Sequence, residues 1–165
     1  MTTPAPTPTG TGTPTATPSP TPSGTGQVQA LQTGLAAEHA VIWGYGVVGA
    51  HAGDALLPQV RDADDAHRTL RDDTVALVTR YGGTPVATEP EYALPFPVTD
   101  QASALRLAVH LEEGVAAAWR YAVAATDDIA VRRAALVALS DAAVRATRWR
   151  LALHTTPATV AFPGG

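Results

Sequence analysis

Residues Ala102–Ala125, ASALRLAVHLEEGVAAAWRYAVAA, decide the reading of the fold. At about 100° per residue, Leu105, Ala108, Val115, Ala116, Trp119 and Val123 fall on one helical face. Glu112 lies at the middle of that face, where an unpaired carboxylate is costly. Two other segments repeat the arrangement. Glu38 is centred on the stripe of Leu31, Leu35, Val41, Ile42, Tyr45 and Val48. His67 is centred on the stripe of Leu56, Val60, Leu70, Thr74, Leu77, Val78 and Tyr81. Three helices thus each aim one ionisable group at a common core.

The remaining elements follow from periodicity and punctuation. Helix 1 is predicted from about Val28 to His51, with Gly44, Gly46 and Gly49 allowing a neighbour to come close. Helix 2 is predicted from about Ala55 to Tyr81. Asp54 suits its N-cap, Pro58 its first turn and Gly82-Gly83 its end. The segment Gly82–Thr99 contains Pro85, Pro90, Pro95 and Pro97 and is long for a turn. At roughly 3.3 Å per residue it can run the length of a helix. Asp100 or Thr99 caps helix 3, which ends near Ala125. Helix 4 runs from about Asp128 to His154, and Pro157 closes it. In the tail, Val160 and Phe162 are expected to pack on the helices.

Four similar helices, with short turns and one long crossover between helices 2 and 3, describe an all-α, ferritin-like four-helix bundle. Helices 2 and 3 are then parallel. At 1.5 Å per residue, His67 and Glu112 both lie roughly 17 Å from the same end. Glu38, on the oppositely directed helix 1, reaches the same level, as does Asp141 on helix 4.

Composition bounds the rest. Residues 1–27 are almost wholly Thr, Pro, Gly, Ser and Ala and read as a disordered tail, which leaves 28–165 for one bundle. There is no cysteine, so disulfides, thiolate metal sites and cysteine nucleophiles are excluded. The net charge is −4, and all 11 basic residues are arginines spread without a basic run. Nucleic acid and anionic membranes are therefore poor partners. No apolar run reaches a membrane span and no secretory signal is visible, so the default compartment is the cytoplasm.

Several stretches carry a family resemblance. They are Ala37-Glu38-His39-Ala40 with Gly44-Tyr45-Gly46-Val47-Val48-Gly49-Ala50, then His67-Arg68 and Arg71-Asp72. Tyr92-Ala93-Leu94-Pro95-Phe96-Pro97-Val98, Glu112 and Ala161-Phe162-Pro163-Gly164 complete the set. Across about Leu31 to Gly165 the chain resembles a ferritin-like domain family of unknown function, common in GC-rich bacteria. The resemblance implies the fold and no assigned activity. The broader ferritin-like class holds two iron or manganese ions with Glu on helices 1 and 3 and Glu-x-x-His on helices 2 and 4. Glu38 and Glu112 match the first pair, and Asp64-x-x-His67 resembles the helix 2 motif with Asp for Glu. On helix 4, Asp141 is followed three residues later by Val144, so a ligand is missing.

Two readings of the core charges follow. In the first, Glu38, Asp64, His67 and Glu112 ligate Fe or Mn in an oxidoreductase or iron-binding protein, with Tyr45 beside them. In the second, which leads, no complete di-metal site exists. The buried carboxylates are instead balanced by protonated His67 and a nearby arginine, either Arg71 or Arg148, with Asp141 at the same level. Asp141 and Arg145 read as an ordinary pair one turn apart on helix 4. Trp119 and Trp149 read as packing residues. Trp43 and Val47, off the core face of helix 1, could form the seam of a homodimer. No substrate is indicated.

Overall fold

The computed structural model describes residues 1 and 24–165, so residues 2–23 of the expected tail lie outside the described residues. Among the described residues there are four helices, α1 (Gly24–His51), α2 (Leu57–Arg80), α3 (Gln101–Ala125) and α4 (Ile129–Ala152). A 3-10 turn, Asp54–Leu56, precedes α2. Among the described residues there is no strand.

Local chemistry sets the helix ends. Asp100 caps α3, its carboxylate accepting from the Ser103 amide at 2.7 Å while the Ser103 hydroxyl accepts from the Asp100 amide. This reciprocal pairing satisfies donors that a helix start otherwise leaves bare. Asp128 caps α4 by accepting from the amides of Ala130 and Val131. The start of α2 departs from expectation. Asp54 makes no side-chain cap; it lies inside the 3-10 turn, after Gly53 at φ 78°. The α2 end has the expected glycines, with Gly82 at φ 79° and the Gly83 amide bonding back to Val78 O.

The helices form three sides of a square. α1 packs against α2 and α3, and α3 packs against α4; α2 and α4 meet hardly at all. A groove therefore runs between α2 and α4. The segment 81–100 contains no helix or strand and lies against α1 and α3. Gln32 binds it near α1's start, donating to Thr84 O and accepting from the Val86 amide. Farther along, His39 Nε2 lies 3.1 Å from Val86 O, Trp43 stacks on Tyr92, and Phe96 meets His110 of α3. Gly53, just past α1, lies beside Gln101 at the start of α3, and Gly26 lies beside Ala125 at its end. Hence α1 and α3 run in opposite directions.

Two surface expectations change. Trp43 is half-buried under Tyr92, so the segment 81–100 already covers that part of α1. In the tail, Val160 and Phe162 do not pack inward; Phe162 is 79% exposed. The tail is held by Arg150, which donates to Ala158 O, and by Gly164, whose backbone lies too near Ala116 O for a side chain.

Candidate functional site

Three helices deliver the central groups because each charged residue sits inside an apolar stripe that must face inward. Glu38 on α1, His67 on α2 and Glu112 on α3 are all fully buried. The imidazole stands between the carboxylates, with Nδ1 2.7 Å from Glu38 Oε2 and Nε2 3.1 Å from Glu112 Oε1. The second oxygen of Glu38 accepts from the Trp119 indole N–H at 2.8 Å. Glu112 Oε1 also accepts from the Tyr45 hydroxyl at 2.5 Å. That hydroxyl in turn accepts from the Trp149 indole at 2.8 Å. From α4, Arg145 Nε donates to both Glu112 oxygens, at 2.9 and 3.0 Å.

The protonation state follows from the donor inventory. Both His67 ring nitrogens face carboxylate oxygens, which only accept when ionised. Both nitrogens must therefore carry hydrogen, which makes the ring an imidazolium. Burial acts against this and is the largest single influence on His67. Hydrogen bonds to Glu112 and Glu38, and then their charges, outweigh it and hold the pKa above its ordinary 6.5. Burial first, then the charge of Glu112, pushes Tyr45 well above its ordinary 10.0, so it stays a neutral donor. Two carboxylates, one imidazolium and one guanidinium sum to zero. Buried charges persist when paired in this way.

Not every candidate reaches the cluster. Asp64, one turn before His67, makes no hydrogen bond to the cluster: its Oδ2 accepts from Arg68 Nε at 2.8 Å, and its Oδ1 is buried without a partner. Neither arginine expected to balance the core does so. Arg71 pairs with exposed Asp72 at 2.8 Å, and Arg148 is exposed. Asp141 is exposed as well, on the lip of the groove. The cation is Arg145, which the sequence reading paired with Asp141 one turn away on helix 4. Its position carried a usable signal. Arg145 is three residues from Ala142 and four from Trp149, both in the buried stripe of α4, and so lies nearer that stripe's centre than Arg148. The indole donors of Trp119 and Trp149 were also missed, because periodicity reports the facing of a ring but not its N–H.

The donor set does not fit the paired metals of the ferritin-like class. A ligating carboxylate needs free lone pairs, and a ligating imidazole directs one nitrogen at the ion. Here His67 turns both nitrogens to carboxylates, and one guanidinium N–H of Arg145 lies across the two oxygens of Glu112. A divalent ion bound to Glu112 would have to displace Arg145 or sit against its charge. Among the described residues, no group of three or more His, Cys, Asp or Glu side chains has metal-holding geometry. Nor is any described helix long and apolar enough to cross a membrane.

A family model described as a domain of unknown function (DUF4439) matches residues 30–165. Among solved structures, the chain is similar to a conserved hypothetical protein, rv2844, from Mycobacterium tuberculosis. The two are 39% identical with a TM-score of 0.76, over 79% of this chain and 98% of that one. No curated protein matches.

Proposed function

The chain belongs to the DUF4439 family, and from that premise we propose a ferritin-like bundle that works as a metal-independent binding domain. The ferritin-like topology draws support from the two helix pairs joined by the long segment 81–100. The observation that carries the functional reading is the Arg145 guanidinium on both oxygens of Glu112. It supplies the charge that a metal would otherwise supply at that carboxylate. The network also links all four helices at mid-bundle, so it serves as a polar clasp that fixes their register. No nucleophile, general base or oxidant enters this reading.

Two measurements test it. Purified chain, reconstituted anaerobically with Fe(II) or Mn(II) and desalted, is expected to retain only substoichiometric metal. Stoichiometric metal that falls in Glu112→Gln overturns the reading. In addition, Glu112→Gln keeps the side-chain shape but strands His67 and Arg145. It should destabilise the chain by about 3–5 kcal/mol at neutral pH. In a metal-free carboxylate site the same substitution relieves like-charge repulsion and stabilises the fold. The sign of the change in urea unfolding therefore separates the two cases.

A further inference from the structure

Exposed apolar side chains are unevenly shared among the helices. Of the large hydrophobics exposed on the described helices, Tyr121 belongs to α3 and five belong to α4: Ile129, Leu136, Val137, Val144 and Leu151. The buried residues of α4, among them Ala135, Ala142 and Trp149, face α3. The exposed five form a second stripe on the outward side, within about 100° of arc. Three of them recur at every seventh residue, Val137, Val144 and Leu151, at 57, 49 and 59% exposed. A repeat of seven is the seam of one helix laid along another. The stripe runs about 33 Å from Ile129 to Leu151. Val160 of the tail adds to its edge, sharing a hollow with Val144 and Thr147. A contiguous exposed apolar stripe of this kind marks a protein contact.

The charges beside the stripe select the occupant. Asp141 and Arg148 flank it on the same side, about 20° apart around α4, and both are exposed. Neither side chain makes an ion pair or hydrogen bond among the described residues. Let a second α4 be turned end for end on a two-fold axis through Val144. Val137 then faces Leu151 of the second copy and Val144 faces its own counterpart, because positions 137 and 151 are equally distant from 144. In the same register Asp141 stands within about 1.5 Å of the level of Arg148 of the second copy, and the axis repeats that pair. Arg132 and Arg133 fall level with Thr156 and Thr155, so no like charge is opposed. A parallel pair offers no such match, since every residue then stands level with itself. We propose that α4 is the seam of a homodimer, pairing antiparallel with α4 of a second copy about Val144, with an Asp141–Arg148 ion pair on each side of the axis. This moves the contact off the Trp43 and Val47 face of α1, where Tyr92 covers Trp43. The seam shares no residue with Glu38, His67, Glu112 or Arg145. It therefore goes beyond the metal-independent reading and stands or falls without it.

Sedimentation equilibrium of the full chain, from low to high micromolar concentration, is expected to show a reversible monomer–dimer equilibrium. Val144→Glu sets two carboxylates against each other on the axis and should raise the dimer Kd about tenfold or more. Asp141→Arg alone sets an arginine against Arg148 of the second copy, and Arg148→Asp alone sets an aspartate against Asp141. Each should weaken dimerisation about tenfold at low salt, two attractive pairs becoming two repulsive ones. The double variant D141R/R148D exchanges the charges and should restore the wild-type Kd, a recovery that the loss of an unrelated surface charge would not give. All three positions are exposed, and urea midpoints measured where the monomer predominates check that each variant folds. A chain that stays monomeric at the highest concentration overturns the proposal. So does a dimer insensitive to Val144→Glu, which must use another face. A double variant no better than its single parents excludes this register and overturns it as well. Metal content at Glu112 is a separate measurement, and neither of its outcomes alters these.

Discussion

His67 contributes its stability only while it is charged, because its two partners are both anions. Its folded pKa lies above 6.5, so between 6.5 and that raised value the folded chain holds a proton the unfolded chain has released. Stability therefore falls as pH rises through this window, the folded state being the one that binds more protons. Below 6.5 both states are protonated and the contribution is fully present. Tyr45, held well above 10.0, adds a second fall at alkaline pH. Asp100, lowered chiefly by the Ser103 hydroxyl, and Asp128, lowered chiefly by the Val131 amide, act in the opposite sense. Their stabilisation is lost as pH drops through their depressed values, well away from the histidine window. Urea midpoints at intervals from pH 6 to 9 should decline. Leucine at position 67 should give a less stable chain whose midpoint is flat over that range. A wild-type midpoint that rises from pH 6 to 9 would mean that His67 is buried neutral.

At the scale of the helix, the contact of α1 with α3 depends on which glycine faces which neighbour. A Cβ at Gly34 would meet the Trp119 ring at 2.5 Å, and one at Gly44 would meet the end of Leu111 at 2.6 Å. A Cβ at Gly46 would meet nothing within 4 Å. Alanine at Gly46 should stabilise the chain by about 0.8–1.0 kcal/mol through helix propensity alone. At Gly44 the flexible leucine end can move, so the effect should be near zero. At Gly34 the ring cannot yield without pulling its N–H off Glu38, and overpacking of about 1–3 kcal/mol should outweigh the propensity gain. Thermal midpoints of the three variants should rank Gly46→Ala, Gly44→Ala, Gly34→Ala from highest to lowest. The same elements mark what the sequence could disclose. Stripe periodicity was enough for α3 and the inward facing of Glu38, His67 and Glu112, while the choice between Thr99 and Asp100 as the α3 cap needed the structure. The arginine carried two signals at once: Arg145 lies nearer the α4 stripe than Arg148, but its spacing from Asp141 also suits a pair along helix 4. For Asp64, spacing gives the turn it shares with His67 but not its partners: one oxygen goes to Arg68 and the other is buried without a partner.

Over the whole molecule, order should be uneven because the square of helices is closed on three sides. α3 is flanked by α1 and α4, whereas α2 leans on α1 and faces the groove on its other side. The polar tie from α2 to α3 is the His67–Glu112 contact. Local opening follows contact density and buried apolar area, so amide hydrogen exchange should protect α3 most and α2 least. Leucine at position 67 removes the tie and strands Glu38, and exchange in α2 should accelerate more than in α3. Equal acceleration in both would mean that α2 opens only by global unfolding and that the ionic clasp has no local role.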